Sequence, residues 1–135
     1  MIKQIVFLRK RPDLTMDQFM DYYENQHSQL SKKMGAPPPL PKAKRYVRRY
    51  LTVETGPWGD KVDPGFDCIM EIWWESREDF EAAMKGLSNP EFIDKRKADE
   101  LQLFASNENP VCSVIESDSP VGPEQRIPTV EPVFD

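Results

Sequence analysis

One histidine occurs in the 135 residues, His27, and it stands on the apolar face of the strongest helical pattern in the chain. Met16, Phe19, Met20, Tyr23, His27, Leu30 and Met34 recur at three-, four- and seven-residue steps, one face of an amphipathic helix. An imidazole held there can take and return a proton near neutral pH without a metal. Strand-like stretches downstream carry groups that suit the same chemistry: Tyr46, Arg48 and Tyr50 in one alternating row, Asp67, Glu71 and Trp73 in another. A phenol can donate to a carbonyl or phenolate oxygen, a guanidinium can hold a carboxylate by its fork, and a carboxylate in apolar surroundings is costly unless paired or used. Each residue also has a plainer reading. A histidine on an apolar helix face is more often a satisfied core residue, and strand tyrosines more often pack than react. Asp67, just after Gly65, suits a strand start, while Arg48 suits a neutralising partner for Asp67 or Glu71. Tyr23 and Trp73, spaced among core positions, suit a pocket wall.

The helix needs a start and a stop, and both are written in the chain. Thr15 and Gln18 form a capping-box pair, and Gly35 followed by prolines ends the pattern at Met34. Before it, Ile2 to Leu8 reads as a strand closed by Arg9-Lys10-Arg11-Pro12; after it, Ala36 to Lys42 is too rich in proline for anything but an extended connector. Lys44 to Val53 and Phe66 to Trp74 are two further strands around a Gly- and Pro-punctuated loop bearing Trp58. In the second of these, Phe66, Cys68, Met70, Ile72 and Trp74 share a wholly apolar face. Ser76 caps a second helix with Phe80, Ala83, Met84 and Leu87 inward; Asn89-Pro90 restarts a charged helical segment to about Phe104, and Val111 to Ile115 is a short last strand.

Strand, helix, strand, strand, helix, strand is the ferredoxin-like βαββαβ plan, an α+β fold whose antiparallel sheet carries its helices on one face. The other face, with Ile69, Trp73, Tyr46 and Tyr50 assigned to it, would lie bare in a monomer. A second copy packed against it gives a homodimer in the form of a dimeric α+β barrel, its lumen lined by those aromatics with Asp67 and Glu71. The organisation expected is one domain over residues 1–117 and a Pro-rich arm over 118–135, lying on the partner subunit through Val121, Ile127, Val130, Val133 and Phe134.

Composition excludes several classes. A net charge of −5 without a block of Lys and Arg gives no footprint for nucleic acid or an anionic membrane. The longest early apolar run, Ile5 to Leu8, is far short of a signal or membrane span, so a cytoplasmic protein is expected, with Cys68 and Cys112 as buried thiols. One histidine and scattered cysteines make no metal set, and without a phosphate-cradling loop, dinucleotide fingerprint or nucleophile elbow no cofactor is expected.

The opening strand ending in FLRKRPDLT, the helix motif DYYENQH with His27, the RYV at Arg45 to Val47 and FDCIMEIWWES with its D-x-x-x-E-x-W spacing resemble the EthD family of dimeric α+β barrel proteins. The resemblance runs in order from residue 1 to about 117. It implies a ferredoxin-like subunit, a dimeric barrel and a ligand cavity between sheet and helices, and it turns the balance for His27 from packing towards catalysis. The function expected is a cofactor-independent acid/base enzyme of lyase, cyclase, decarboxylase or isomerase type on a small aromatic or polyketide-like molecule. His27, Tyr46 and Asp67 are its catalytic candidates; Tyr23, Arg48, Tyr50, Glu71 and Trp73 are its substrate-binding ones. The alternative is a non-catalytic protein that holds a hydrophobic ligand for an oxygenase or degradation pathway.

Overall fold

Strand β1 (Ile2–Leu8) alternates along its whole length, burying Ile2, Gln4, Val6 and Leu8 and leaving the residues between them half-exposed. It forms the middle of an antiparallel sheet with β2 (Ala43–Tyr50), β3 (Cys68–Trp74) and β4 (Val111–Ser113), in the order β2-β3-β1-β4. This is the ferredoxin-like arrangement. The computed structural model describes residues 1–122 and 129–130. Beyond the sheet, Ser117–Asp118 (β5) pairs with Thr129–Val130 (β6); the expected arm otherwise lies largely outside the described residues, Ile127, Val133 and Phe134 included. Among the described residues no helix is long and apolar enough to cross a membrane.

The helix expected over Met16 to Met34 is interrupted. Helix α1 (Met16–Asn25) starts at the Thr15–Gln18 capping box, in which each residue's amide donates to the other's side chain at 3.1 and 2.9 Å. A single 3-10 turn, His27–Gln29, then leads into α2 (Leu30–Met34), which stops at Gly35 in the left-handed conformation, φ 69°. The run Asn25-Gln26-His27-Ser28 contains weak helix formers, and the Ser28 hydroxyl donates back to the Glu24 carbonyl, competing with the helical ladder. His27 thus sits on the break itself. Ser76 caps α3 (Arg77–Leu87) as expected, and α4 (Ile93–Glu100) is shorter than the sequence pattern.

Two packed clusters fill the space between helices and sheet. Val6, Leu8, Phe19, Tyr23, Cys68, Leu103 and Phe104 make one; Ile2, Ile72, Trp74 and Ala83 make the other. Gln4, 2 % exposed, is the buried polar link between strands, accepting from the Trp74 indole N–H at 2.8 Å.

The closed barrel does not form. The sheet is open, with β2 and β4 as its two edges. The premise behind the barrel also changes, because Tyr46, Arg48 and Tyr50 lie opposite Ile72, Met70 and Cys68 in the register and therefore share the helix-bearing face. What the other face presents is mixed rather than aromatic: Trp73 lies under Lys3 and Arg45, at 4.6 and 4.9 Å from its ring, and Glu71 pairs with Arg49 at 3.0 Å. The thiols differ as well. Cys68 is fully buried, but Cys112 is exposed on the three-residue edge strand.

Two outcomes follow from this packing. Gln4→Ala, which strands the buried Trp74 N–H, should lower stability by ~1–3 kcal/mol in urea unfolding; an unchanged midpoint and slope would show that the bond contributes nothing. Burial pushes the Cys68 thiol up to about 12, so a thiol reagent near neutral pH should modify one cysteine in the native protein and both after unfolding. Modification of both at equal rates in the native state would contradict that burial.

Candidate functional site

Helix α1 meets the inner face of β2 and β3 through a row of polar aromatic contacts. Tyr23, one turn after Phe19, is 1 % exposed and its hydroxyl lies 2.8 Å from that of Tyr46. The Tyr23 hydroxyl also reaches the Met70 sulfur at 3.3 Å. Burial raises both phenols, Tyr23 well above the ordinary range, so both are protonated at neutral pH. Next along the helix, Glu24 accepts from Arg48 Nε at 3.0 Å, again from Arg48 Nη2, and from the Tyr50 hydroxyl at 2.7 Å. The Arg48 hydrogen bonds hold the Glu24 carboxyl below its usual range, and Arg48 in turn lies 4.6 Å over the Tyr46 ring. Phenol, guanidinium and carboxylate here form one connected network.

The second part of the site comes from α4. Asp99 Oδ2 stands 2.5 Å from His27 Nδ1, while its Oδ1 accepts from the Tyr22 hydroxyl at 2.7 Å. Both partners are largely withdrawn from solvent, His27 to 21 % and Asp99 to 13 % side-chain exposure. Burial, and then the bond to Asp99, raise Tyr22 to about 12, so its proton stays in place and Asp99 remains the acceptor. The imidazole is further held by edge contacts with Tyr23 and Phe104, at 5.2 and 5.7 Å between ring centroids. An imidazole whose Nδ1 is engaged by a fixed carboxylate has a defined tautomer and orientation, the arrangement that makes the opposite nitrogen a proton acceptor.

Of the residues singled out from the sequence, His27, Tyr23, Tyr46, Arg48 and Tyr50 gather in this layer between α1, α4 and the sheet. Asp67, Glu71 and Trp73 do not. Asp67 accepts from the Lys10 amide at 2.9 Å and lies 3.8 Å from Arg9, anchoring the start of β3 as the plainer reading has it. Glu71 and Trp73 are on the opposite face of the sheet. Sequence reasoning missed Asp99, Glu24 and Tyr22. A signal for Asp99 lies in the sequence: Phe92, Arg96, Asp99 and Leu103 follow at helical steps, so two charged residues occupy the inward stripe of an otherwise charged helix. Among the described residues no three His, Cys, Asp or Glu side chains converge as a metal-binding group.

Comparison with known proteins agrees with the fold. The structure is similar to that of an ethyl tert-butyl ether D (EthD) family protein from Bacillus halodurans C-125, at 17 % identity and a TM-score of 0.52 over 86 % of this chain and 99 % of that one. It is also similar to an EthD-like protein from Ralstonia eutropha JMP134, at 17 % identity and a TM-score of 0.53 over 82 % and 88 % of the two chains. No curated protein matches the sequence. The EthD domain model matches residues 11–107, a span that includes both halves of the His27–Asp99 contact and all of the Tyr23–Tyr46 and Glu24–Arg48–Tyr50 network. The chain belongs to the EthD family.

Proposed function

We propose that the protein is a cofactor-independent acid/base catalyst, of lyase, cyclase, decarboxylase or isomerase type, acting on a small aromatic or polyketide-like molecule. The observation that carries this reading is the 2.5 Å contact between Asp99 and His27, with Asp99 held at its other oxygen by Tyr22. With Nδ1–H donating to Asp99, His27 Nε2 keeps a free lone pair and acts as the base. It removes a proton from a carbon next to a carbonyl, and the electron pair moves onto the carbonyl oxygen as an enolate. Asp99 stabilises the imidazolium so formed. A phenol that stays protonated at neutral pH is the group to donate to the enolate oxygen, and Tyr46, with Arg48 over its ring, is assigned that part. Expulsion of a β-hydroxyl as water, or attack of the enolate carbon on a second carbonyl to close a ring, then completes the reaction, with protonated His27 returning its proton to the departing or newly formed oxygen; in a decarboxylation the departing carbon dioxide itself leaves the enolate, and protonated His27 delivers a proton to its carbon.

A second reading has an observation of its own. The Tyr23, Tyr46 and Tyr50 hydroxyls and the Glu24 carboxylate all find partners within the protein. A network closed on itself suits a binding protein that holds a hydrophobic ligand unaltered.

Exchange of carbon-bound hydrogen for deuterium separates the two. Incubated in heavy water with a panel of aryl β-keto acids and acetylphenols, the protein should catalyse exchange at the carbon beside the carbonyl. His27→Gln should lower that exchange by ~10²-fold or more, and Asp99→Asn should lower it too, both with the far-ultraviolet spectrum of the parent. Exchange that survives His27→Gln would overturn the assignment of the base. Compounds that bind but emerge unexchanged from parent and variant alike would favour the binding protein.

A further inference from the structure

Helix α4 carries a second charged residue on its inward stripe, Arg96, one turn before Asp99. Its Nη1 donates to Ser31 Oγ at 3.0 Å and its Nε is enclosed without a partner, while Glu100, one turn on, acts on it through space without a hydrogen bond among the described residues. The residue as a whole is only half-buried, so part of the guanidinium stays open to a ligand. Arg96 lies on the wall of a cleft of about 240 Å³, whose other walls are the proline connector at Pro37 and Pro41, Ala83 and Gly86 of α3, and Phe92. Lys42 and Asp79 also line it, and they stand 3.5 Å apart, so their charges offset each other and Arg96 is the remaining charged residue of the lining.

We propose that this cleft binds a small monocarboxylate with a flat apolar body, its carboxylate received by Arg96 and its ring held between the proline connector and α3. The lining selects the class. A guanidinium edge matches a carboxylate, a single cation partly offset by Glu100 suits a monoanion better than a phosphate dianion, and the apolar walls ask for a hydrocarbon body. The volume is below the ~300 Å³ at which pockets for drug-sized molecules begin, which points to a single ring. Proline walls hold their shape before the ligand arrives, so little order is lost on binding. The site is separate from the Tyr23–Tyr46 layer, and the proposal does not depend on the acid/base reading.

Phenylacetate is the probe, titrated into the full chain by calorimetry and by amide chemical-shift mapping. Shifts should concentrate at Ala82, Ala83 and Gly86. Arg96→Met should weaken binding by ~10-fold or more, the neutral phenylacetamide should bind the parent similarly weakly, and His27→Gln should leave the affinity unchanged. Should Arg96→Met fail to fold, Arg96→Lys keeps the charge without the fork and should bind weakly but measurably. Equal affinity for acid and amide, shifts centred on Tyr23 and Tyr46 instead, or no binding at millimolar phenylacetate would each overturn the proposal.

Discussion

Pairing of β2 on β3 with Tyr46 opposite Ile72 decides which side of the sheet carries the polar network. A strand alternates its faces with a period of two, so a slip of one residue would send Tyr46, Arg48 and Tyr50 out to the open face and bring Val47 and Arg49 in. In the observed register the three polar side chains meet α1 at Tyr23 and Glu24. The hydrogen bonds made there then reinforce the register that made them possible. A guanidinium and a carboxylate can be placed this close to a packed layer because each satisfies the other, with a phenol completing the carboxylate.

Helix α4 completes the layer from the other side. Its two inward charges each engage the segment that follows α1: Asp99 takes His27 on the 3-10 turn, and Arg96 takes Ser31 at the start of α2. The interruption of the long helix and the charged stripe of α4 are therefore one design. The break turns the imidazole towards α4, and α4 supplies the carboxylate that orients it. Leu103 and Phe104, just beyond, bury into the same cluster as Phe19 and Tyr23, so the apolar core holds the dyad in place.

The order of elements was legible because it rests on local patterns: alternation in β1 and β3, the Thr15–Gln18 box, the Ser76 cap and the left-handed Gly35. The side of the sheet to which β2 turns its tyrosines was not, since a single strand with polar and aromatic residues on both faces does not show which face its neighbour will bury. With the opposite parity Tyr46, Arg48 and Tyr50 would lie on the open face and leave it bare and aromatic, the condition on which a closed barrel rests. Asp67 and Glu71 were legible as carboxylates needing partners, but not that Lys10 and Arg49 would supply them from distant parts of the chain. Asp99 was legible only as a charged residue; its inward position emerges when the stripe through Phe92, Arg96 and Leu103 is traced as one face.

In the proposed mechanism Asp99 fixes the tautomer of His27 and so frees Nε2 to accept a proton. With a single histidine in the chain, long-range proton–nitrogen correlation spectra of the imidazole report on this residue alone. The neutral ring should carry its proton on Nδ1, with Nε2 unprotonated, and Asp99→Ala should shift the proton to Nε2, as in free histidine. A neutral ring already protonated at Nε2 in the parent protein would contradict it.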